Sequence, residues 1–170
     1  LLAEWHNRLQ KLAERTRLGI PVTISTDPRH HFTNNPATSF LATHFSAWPE
    51  PSGLAAIDDE KLVQEFADIA RQEYLAVGIR IGLHPQIDLA TEPRWTRVNG
   101  TFGEDAELTS KMVKAYIRGF QGEKLGPQSV ACMTKHFPGG GPQKDGEDPH
   151  FECGREQVYP GNNFDYHLKP

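Results

Sequence analysis

The chain has few cysteines and no long apolar run, and these two absences exclude several classes of protein. Its 170 residues contain only Cys132 and Cys153, in no metal-binding or redox spacing, so neither a zinc module nor a disulfide scaffold is indicated. Cys132 lies in an apolar run, where a buried free thiol is expected; a disulfide with Cys153 is the open alternative. No apolar stretch approaches the roughly 20 residues of a bilayer-spanning helix, so no membrane partner is predicted.

The sequence also lacks an excess of basic charge. Lysine and arginine total 18 against 22 aspartates and glutamates, for a net charge of -4 without a basic cluster, so no nucleic-acid partner is predicted. No Gly-x-Gly-x-x-Gly segment opens a helix, which disfavours a dinucleotide-binding fold. With 37% hydrophobic and 24% charged residues, the composition is typical of a globular domain.

The central feature that is present is the segment Val130–Gly141. A short β-compatible apolar run leads to Lys135 and His136 and then breaks on a proline and three glycines. This pattern is typical of a buried strand that delivers polar groups to a loop, where α/β enzymes carry their sites. Lysine and histidine at the mouth of a pocket suit a polyhydroxylated or anionic ligand. The plainer alternative is a strand that ends in two solvated polar residues.

The rest of the chain alternates between helical and strand patterns. Helices are predicted over residues 1–18, 58–77 and 105–122, and strands over 20–26, 79–83 and 130–136. Residues 32–57 and everything after Gly139 are predicted to be loops. The first helix is expected to pack one apolar stripe inward, formed by Trp5, Leu9, Leu12 and Ala13.

Alternating helices and strands imply right-handed βαβ units and a parallel α/β sheet. Polar residues follow the strands at Asp27, at 94–97 and at Lys135 and His136, and in such sheets these ends share one face. A (β/α)8 TIM-type barrel is preferred. Because a closed barrel takes roughly 250 residues, about three strands and three helices predict an incomplete barrel, with residues 1–170 as one partial domain.

Three motifs carry a resemblance to a known family. Lys-His-Phe-Pro-Gly at 135–139, Glu-Pro-Arg-Trp-Thr-Arg at 92–97 and Phe-Gly-Glu-Asp at 102–105 resemble the N-terminal barrel domain of glycoside hydrolase family 3. Residues 19–27 and 76–79 fit the same family, so the resemblance covers nearly the whole chain.

The resemblance implies a retaining β-glycosidase, most similar to the β-glucosidases, which removes terminal non-reducing β-D-glucosyl residues from β-glucosides or oligosaccharides. A β-N-acetylglucosaminidase and a β-xylosidase are alternatives within the family. A small-molecule or oligosaccharide substrate is expected, with no metal and no cofactor. By analogy with the family, the protein is expected to be secreted or periplasmic.

The same resemblance assigns substrate-binding roles to the matching positions Asp27, Arg97, Lys135 and His136. Charged groups bind sugar hydroxyls more strongly than neutral ones and reject ligands that lack the hydroxyl. A retaining mechanism also needs two carboxyl groups about 5 to 5.5 Å apart. The resemblance places the nucleophile and the acid/base after Pro170, so the chain by itself is expected to be inactive.

One candidate acid lies inside the chain. The N-acetylglucosaminidase branch of the family uses an Asp-x-His dyad after the Lys-His-Phe-Pro-Gly motif, and Asp148-Pro149-His150 matches that pattern. A histidine held by a carboxylate can act as a general acid near neutral pH. However, three glycines replace the branch's Gly-His-Gly continuation, so the favoured alternative is an ordinary loop or turn role.

Other positions near the motifs are assigned to structure or bear on specificity. Arg94 is expected to pair with Glu92 or Asp88, and Trp95 is expected to pack rather than to stack on sugar. Thr96 stands where glycine is common in the family, and Gly100 stands where many members carry glutamate. These two departures bear on the choice of sugar.

Two functions of other classes compete with the glycosidase. A metal-dependent barrel hydrolase would require several loop histidines to converge with Asp27, namely His30, His31, His84, His136 and His150. Neither a His-x-His pair at the first strand nor a His-Glu-x-x-His helix supports it. The second alternative is a non-catalytic carbohydrate-binding remnant that keeps the sugar ligands without a carboxylate pair.

Overall fold

The computed structural model describes residues 1–34, 42–137 and 139–170. Asn35 and Pro36 of the predicted loop and Pro138 of the Lys-His-Phe-Pro-Gly motif lie outside these ranges. Helices and strands follow one another in the order α1 (Leu2–Glu14), β1 (Ile24–Thr26), α2 (Pro51–Ile57), α3 (Glu60–Ala76), β2 (Ile79–Gly82), α4 (Ala106–Gln121), β3 (Ala131–Cys132) and α5 (Phe164–His167).

The three strands form one parallel sheet in the order β1-β2-β3. Ile24 is in register with Ile79, and Ile81 with Ala131. The predicted parallel α/β sheet is therefore confirmed, although β1 is shorter than the predicted 20–26. The first residues of the predicted strand lie outside the sheet, and the backbone of Val22 there exchanges hydrogen bonds with the Gln10 side chain of α1.

Helices α3 and α4 cover the sheet and build the core. Each begins at an aspartate whose side chain caps the first turn: Asp59 accepts from two backbone N–H groups and Asp105 from that of Leu108. A Cβ at Gly119 would lie 2.4 Å from the Cβ of Ala67, so glycine permits the close approach of the two helices. The larger core side chains include Leu54, Phe66, Tyr74, Met112, Tyr116 and Phe120.

The inward packing predicted for the first helix is wrong for two of the four residues of its stripe. Trp5 is 53% exposed and Leu12 is 60% exposed, and Ala13 is the helix's buried residue. Helix α1 instead meets the sheet through polar side chains, since Gln10 binds Val22 and the ring of His6 lies against Gly78. A helical apolar repeat identifies a stripe but not the presence of a partner for it.

Two predicted loops contain helices. Residues 51–57 form α2, which begins at Pro51, a residue suited to the first helical position. Residues 164–167 form α5, which buries His167. Neither helix is long enough to display an apolar repeat in the sequence, which is why the pattern missed both.

Cys132 is half-buried and Cys153 exposed, and both are free thiols rather than partners in a disulfide. Burial raises the pKa of the Cys132 thiol to about 12, so this thiol stays protonated at neutral pH. Over the described ranges, no helix has both the length and the apolar character required to cross a membrane.

Candidate functional site

A cleft opens at the carboxyl ends of the three strands. It encloses about 580 Å³ of space that is continuous with solvent. Because parallel strands end on the same side of the sheet, the segments that follow β1, β2 and β3 all contribute to its wall. The polar wall residues are Asp27, His31, Glu50, His84, Gln86, Arg97, Asn99 and Lys135.

Lys135 and Asp27 form an ion pair across the cleft. The Lys135 Nζ donates to Asp27 Oδ1 over 2.8 Å, and the lysine is partly buried. Its backbone is held to the segment after β2, because its N–H donates to the carbonyl of Pro85 and its carbonyl accepts from the N–H of Ile87. The Lys135–His136 peptide bond is cis.

Arg97 is held on three sides next to the cleft. One guanidinium nitrogen donates to Gln86 Oε1 over 2.9 Å, and another lies 3.4 Å from His136 Nε2. The guanidinium carbon also lies 5.7 Å from the centroid of the Trp95 ring, within cation–π range. These contacts orient a cation whose remaining N–H groups can serve a ligand.

Asp88 lies beneath this arrangement and is fully buried. Its carboxylate contacts His136 Nδ1 at 3.1 and 3.2 Å and accepts a short hydrogen bond from the backbone N–H of Gly140. Burial by itself raises the pKa of Asp88, but the hydrogen bonds from His136 and Gly140 outweigh it and hold the pKa below its ordinary value. Asp88 is therefore an anion at neutral pH.

The structure brings together the four residues predicted to bind substrate. Asp27, Arg97 and Lys135 line the cleft, and His136 lies beside it against Arg97. They come from three separate segments of the chain that converge only in the fold. Their roles toward a sugar stay predictions.

The structural roles predicted around Arg94 and Trp95 are confirmed. Arg94 pairs with Glu92 at 2.8 Å, and hydrogen bonds from Arg94 lower the pKa of Glu92 to about 2. The alternative pairing of Arg94 with Asp88 is wrong, because Asp88 holds His136 instead. Trp95 is buried, and its indole N–H donates to Asp148 over 2.9 Å.

Asp148 and His150 form the predicted pair, at 2.5 Å between Oδ1 and Nδ1. Asp148 is buried and His150 is largely exposed. Burial raises the pKa of Asp148, but the bonds from the His150 backbone and ring and from Trp95 lower it below its ordinary value. Neither residue is part of the cleft wall.

The convergence of histidines that a metal hydrolase would need is not found. Among residues 1–34, 42–137 and 139–170, no three histidines, cysteines or carboxylates are placed to hold a metal ion. Their rings are engaged separately: His30 with Glu73 at 2.7 Å and His84 with the Tyr116 hydroxyl at 2.8 Å. Burial lowers the pKa of both histidines, so both are neutral at pH 7.

Sequence reasoning missed Gln86 and the true partner of Asp88. Two signals were available. Gln86 follows β2 in the same way that the predicted residues follow β1 and β3, and Asp88 stands between the apolar Ile87 and Leu89, where an aspartate requires a buried partner. The partner itself, 48 residues away in sequence, could not be read from this pattern.

The comparisons with known proteins agree on one family. The family described as "Glycosyl hydrolase family 3 N terminal domain" matches residues 2–166. The chain is 64% identical over 169 residues to β-glucosidase C of Emericella nidulans, covering 99% of the chain and 27% of that protein. It is 55% identical over 171 residues to a periplasmic β-glucosidase/β-xylosidase of Dickeya chrysanthemi, covering 99% and 26%.

Solved structures give the same result. A glycoside hydrolase family 3 β-N-acetylglucosaminidase from a Paenibacillus species superposes with a TM-score of 0.80 at 27% identity, covering 99% of this chain and 30% of that one. A β-glucosidase from Listeria innocua in complex with isofagomine gives 0.69 at 29% identity, covering 85% and 19%. The predicted fold class, part of a (β/α)8 barrel, is confirmed. The chain spans about a quarter of the length of the curated relatives it matches.

Proposed function

Since the chain belongs to glycoside hydrolase family 3, we propose that it supplies the terminal-sugar subsite of a retaining β-glucosidase, which releases non-reducing β-D-glucosyl residues. The observation that carries this proposal is the meeting of Asp27, Arg97 and Lys135 in one cleft, with His136 against Arg97. The names of the relatives from Emericella nidulans and Dickeya chrysanthemi support the choice of substrate.

The charges in the cleft suit sugar hydroxyls. Asp27 accepts hydrogen bonds only, whereas Lys135 donates only, and their charged atoms lie 2.8 Å apart. A hydroxyl group beside this pair can donate to the carboxylate and accept from the ammonium group. Charge-assisted hydrogen bonds of this kind are about twice as strong as neutral ones, so a ligand that lacks the hydroxyl is rejected.

We assign the chemical step to groups outside this chain. A retaining glycosidase needs a nucleophilic carboxylate and an acid/base carboxyl group about 5 to 5.5 Å apart. Asp27 is paired with Lys135 and Asp88 with His136, so both serve binding and positioning. The family resemblance implies that the nucleophile and the acid/base come from other segments of the enzyme, so we expect residues 1–170 alone to bind sugar without cleaving it.

A β-N-acetylglucosaminidase is the second candidate. The contact of 2.5 Å between Asp148 and His150 favours it, because the carboxylate orients the imidazole as a general acid requires. The likeness to the Paenibacillus enzyme also supports it. The Dickeya relative is also named a β-xylosidase, so β-xylosides are included in the test. That relative and a β-glucosidase of Salmonella typhimurium are both named periplasmic, which supports a site of action outside the cytoplasm.

Hydrolysis by the complete gene product tests the proposal. Initial rates are measured on p-nitrophenyl β-glucoside, β-xyloside and β-N-acetylglucosaminide, and the first anomer released is identified by proton NMR. We expect the highest kcat/KM on the glucoside, β-glucose as first product, and no activity from residues 1–170 alone.

Each other outcome points to a different function. Preference for the N-acetylglucosaminide selects the second candidate, and α-glucose as first product excludes a retaining mechanism. Loss of activity on chelation supports the metal-dependent hydrolase. A complete gene product that cleaves none of the three substrates but binds glucose is a carbohydrate-binding remnant.

A further inference from the structure

Four side chains form a closed ring of contacts beside the cleft. Gln86 Oε1 accepts from Arg97 over 2.9 Å, and Arg97 lies 3.4 Å from His136 Nε2. His136 Nδ1 contacts Asp88 at 3.1 Å, and Asp88 Oδ2 lies 3.4 Å from Gln86 Nε2. Arg97 faces the ligand space, whereas Asp88 is sealed from solvent at the base of the ring.

Asp88 determines where the proton on His136 lies. An ionised carboxylate only accepts hydrogen bonds, so each of its neighbours must donate. The backbone N–H of Gly140 and the amide of Gln86 are donors by nature. The third neighbour, His136 Nδ1, donates only if it carries a hydrogen.

Arg97 places the opposite requirement on the other ring nitrogen. A guanidinium group only donates, so the Nη1 atom at 3.4 Å from His136 Nε2 requires a lone pair there. The neutral tautomer with hydrogen on Nδ1 satisfies Asp88 and Arg97 together. The other tautomer would set the Nδ1 lone pair against the Asp88 carboxylate and the Nε2–H against an N–H group of Arg97.

We propose that Asp88 is a positioning residue that holds His136 in the Nδ1–H tautomer, so that the Nε2 lone pair accepts from Arg97 and fixes the guanidinium group toward the ligand space. The inference rests on the proposed function, because it assigns to the oriented Arg97 a place in the sugar subsite. Asp88 acts through His136, since it does not line the cleft.

The glycine-rich loop, residues 139–141, packs against Asp88. A Cβ at Gly139 would lie 3.2 Å from Asp88 Cα, and one at Gly140 would lie 3.4 Å from Asp88 Oδ1. Gly139 also has a φ of +134°, a backbone conformation that favours glycine, and this tight loop brings the Gly140 N–H to the carboxylate. Asp88 thus joins the loop to the ring at one buried point.

Asp88→Asn tests the proposal, because it preserves shape but replaces one acceptor oxygen with an NH2 group. With the amide oxygen on the Gly140 N–H, the NH2 group faces His136 Nδ1 and requires a lone pair there. We expect His136 to shift its hydrogen to Nε2. Two-bond 15N–1H correlation spectra of the 15N-histidine-labelled gene product report the tautomer directly, with His136 assigned from the spectrum of His136→Gln.

A kinetic readout uses deoxy substrates, since Arg97 can donate only to a sugar oxygen that is present. We compare p-nitrophenyl β-glucoside with its 3-, 4- and 6-deoxy analogues. In the wild type, loss of the oxygen that faces Arg97 is expected to reduce kcat/KM by roughly ten- to a hundredfold. In Asp88→Asn this penalty is expected to shrink to about threefold or less, because an N–H on His136 Nε2 opposes Arg97 and no longer holds it toward the sugar.

Asp148→Asn is the matched control, because it makes the same change in the other aspartate–histidine pair. It must leave both the His136 signals and the penalty for the missing oxygen as in the wild type. The proposal is overturned if wild-type His136 carries its hydrogen on Nε2, or if Asp88→Asn changes neither readout. The wild-type spectrum decides even if Asp88→Asn does not fold, and it requires no activity, so failure of the proposed glucosidase function is recognised separately.

Discussion

On each side of the glycine-rich loop there is one aspartate–histidine pair and one pair between a lysine and a carboxylate, but the surroundings of the two sides differ. On the cleft side, Asp88 holds His136 and Asp27 pairs with Lys135 at 2.8 Å. On the outer side, Asp148 holds His150, and Lys144 pairs with Glu156 at 2.7 Å. The lysine pairs have nearly equal distances, and the aspartate–histidine contact is longer on the cleft side, at 3.1 Å against 2.5 Å. His136 is 38% exposed and His150 is 70% exposed.

This comparison indicates that the role of a charged pair depends on what surrounds it and not on the types of residue that form it. The outer partners are close in sequence, and all of them except the buried Asp148 stand in solvent, where an ion pair contributes about 0 to 1 kcal/mol. The cleft-side partners come from distant segments and face Arg97 and the ligand space. A pair that is held by a buried carboxylate and faces a cleft can select a ligand, whereas its exposed counterpart ties a loop to itself.

Gly141→Ala is expected to cause the largest loss of stability, because it forces the glycine-rich loop away from the backbone at Leu89. The added Cβ would lie 1.7 Å from the carbonyl oxygen of Leu89, a backbone atom that cannot move independently. Forced overpacking of this kind costs about 3 kcal/mol. Urea denaturation should show this loss, while Gly126→Ala, whose Cβ would meet nothing within 4 Å, should be stable. Equal stability of the two variants would show that the loop does not depend on this contact.

Lys135→Met and Lys144→Met compare the two lysine pairs directly. A hydrogen bond to a charged group is worth about 1.5 to 3 kcal/mol, so loss of Lys135 should reduce kcat/KM on the glucoside by roughly ten- to a hundredfold. Lys144 pairs in solvent with Glu156, and its replacement should change kcat/KM by less than about twofold. Equal losses in steady-state kinetics would remove the distinction between the two sides.

Trp95→Phe tests how the outer carboxylate is held. It removes the indole donor to Asp148, which should lower the free energy of unfolding at pH 7 by about 1 to 2 kcal/mol. The folded pKa of Asp148 lies below its unfolded value of about 3.9, so this stabilisation is present above that pH and is lost as the pH falls through the folded pKa. The difference between wild type and variant in urea denaturation should therefore narrow as the pH falls below about 3.9. A constant difference would assign the effect to the smaller ring alone.

His150→Asn is expected to have the smallest effect. The imidazole is exposed and outside the cleft wall, so stability should change by about 0.5 kcal/mol or less and kcat/KM on the glucoside by less than about twofold. Steady-state kinetics and urea denaturation check both values. A loss of several orders of magnitude in kcat would instead identify His150 as the general acid and favour the second candidate function.

Most of the scaffold was predictable because its signals are local. The acidic starts of α3 and α4 and the alternation of helix and strand are written in neighbouring residues, and both were confirmed. The apolar stripe of α1 shows the limit of this reasoning, because Trp5 and Leu12 are exposed although their spacing is typical of a packed helix. Short α2 was missed, since seven residues carry too little repeat to recognise.

The sequence by itself determined the family, the parallel α/β class and the residues that gather at the strand ends, because motif spacing and the common direction of parallel strands require no knowledge of contacts. Asp148 and His150 could also be paired from sequence, since only Pro149 separates them. Only the tertiary structure decided that Asp88 serves His136 rather than Arg94, and that the Gly140 N–H completes its shell. A buried carboxylate takes the donors that packing brings to it, and packing here joins segments about fifty residues apart.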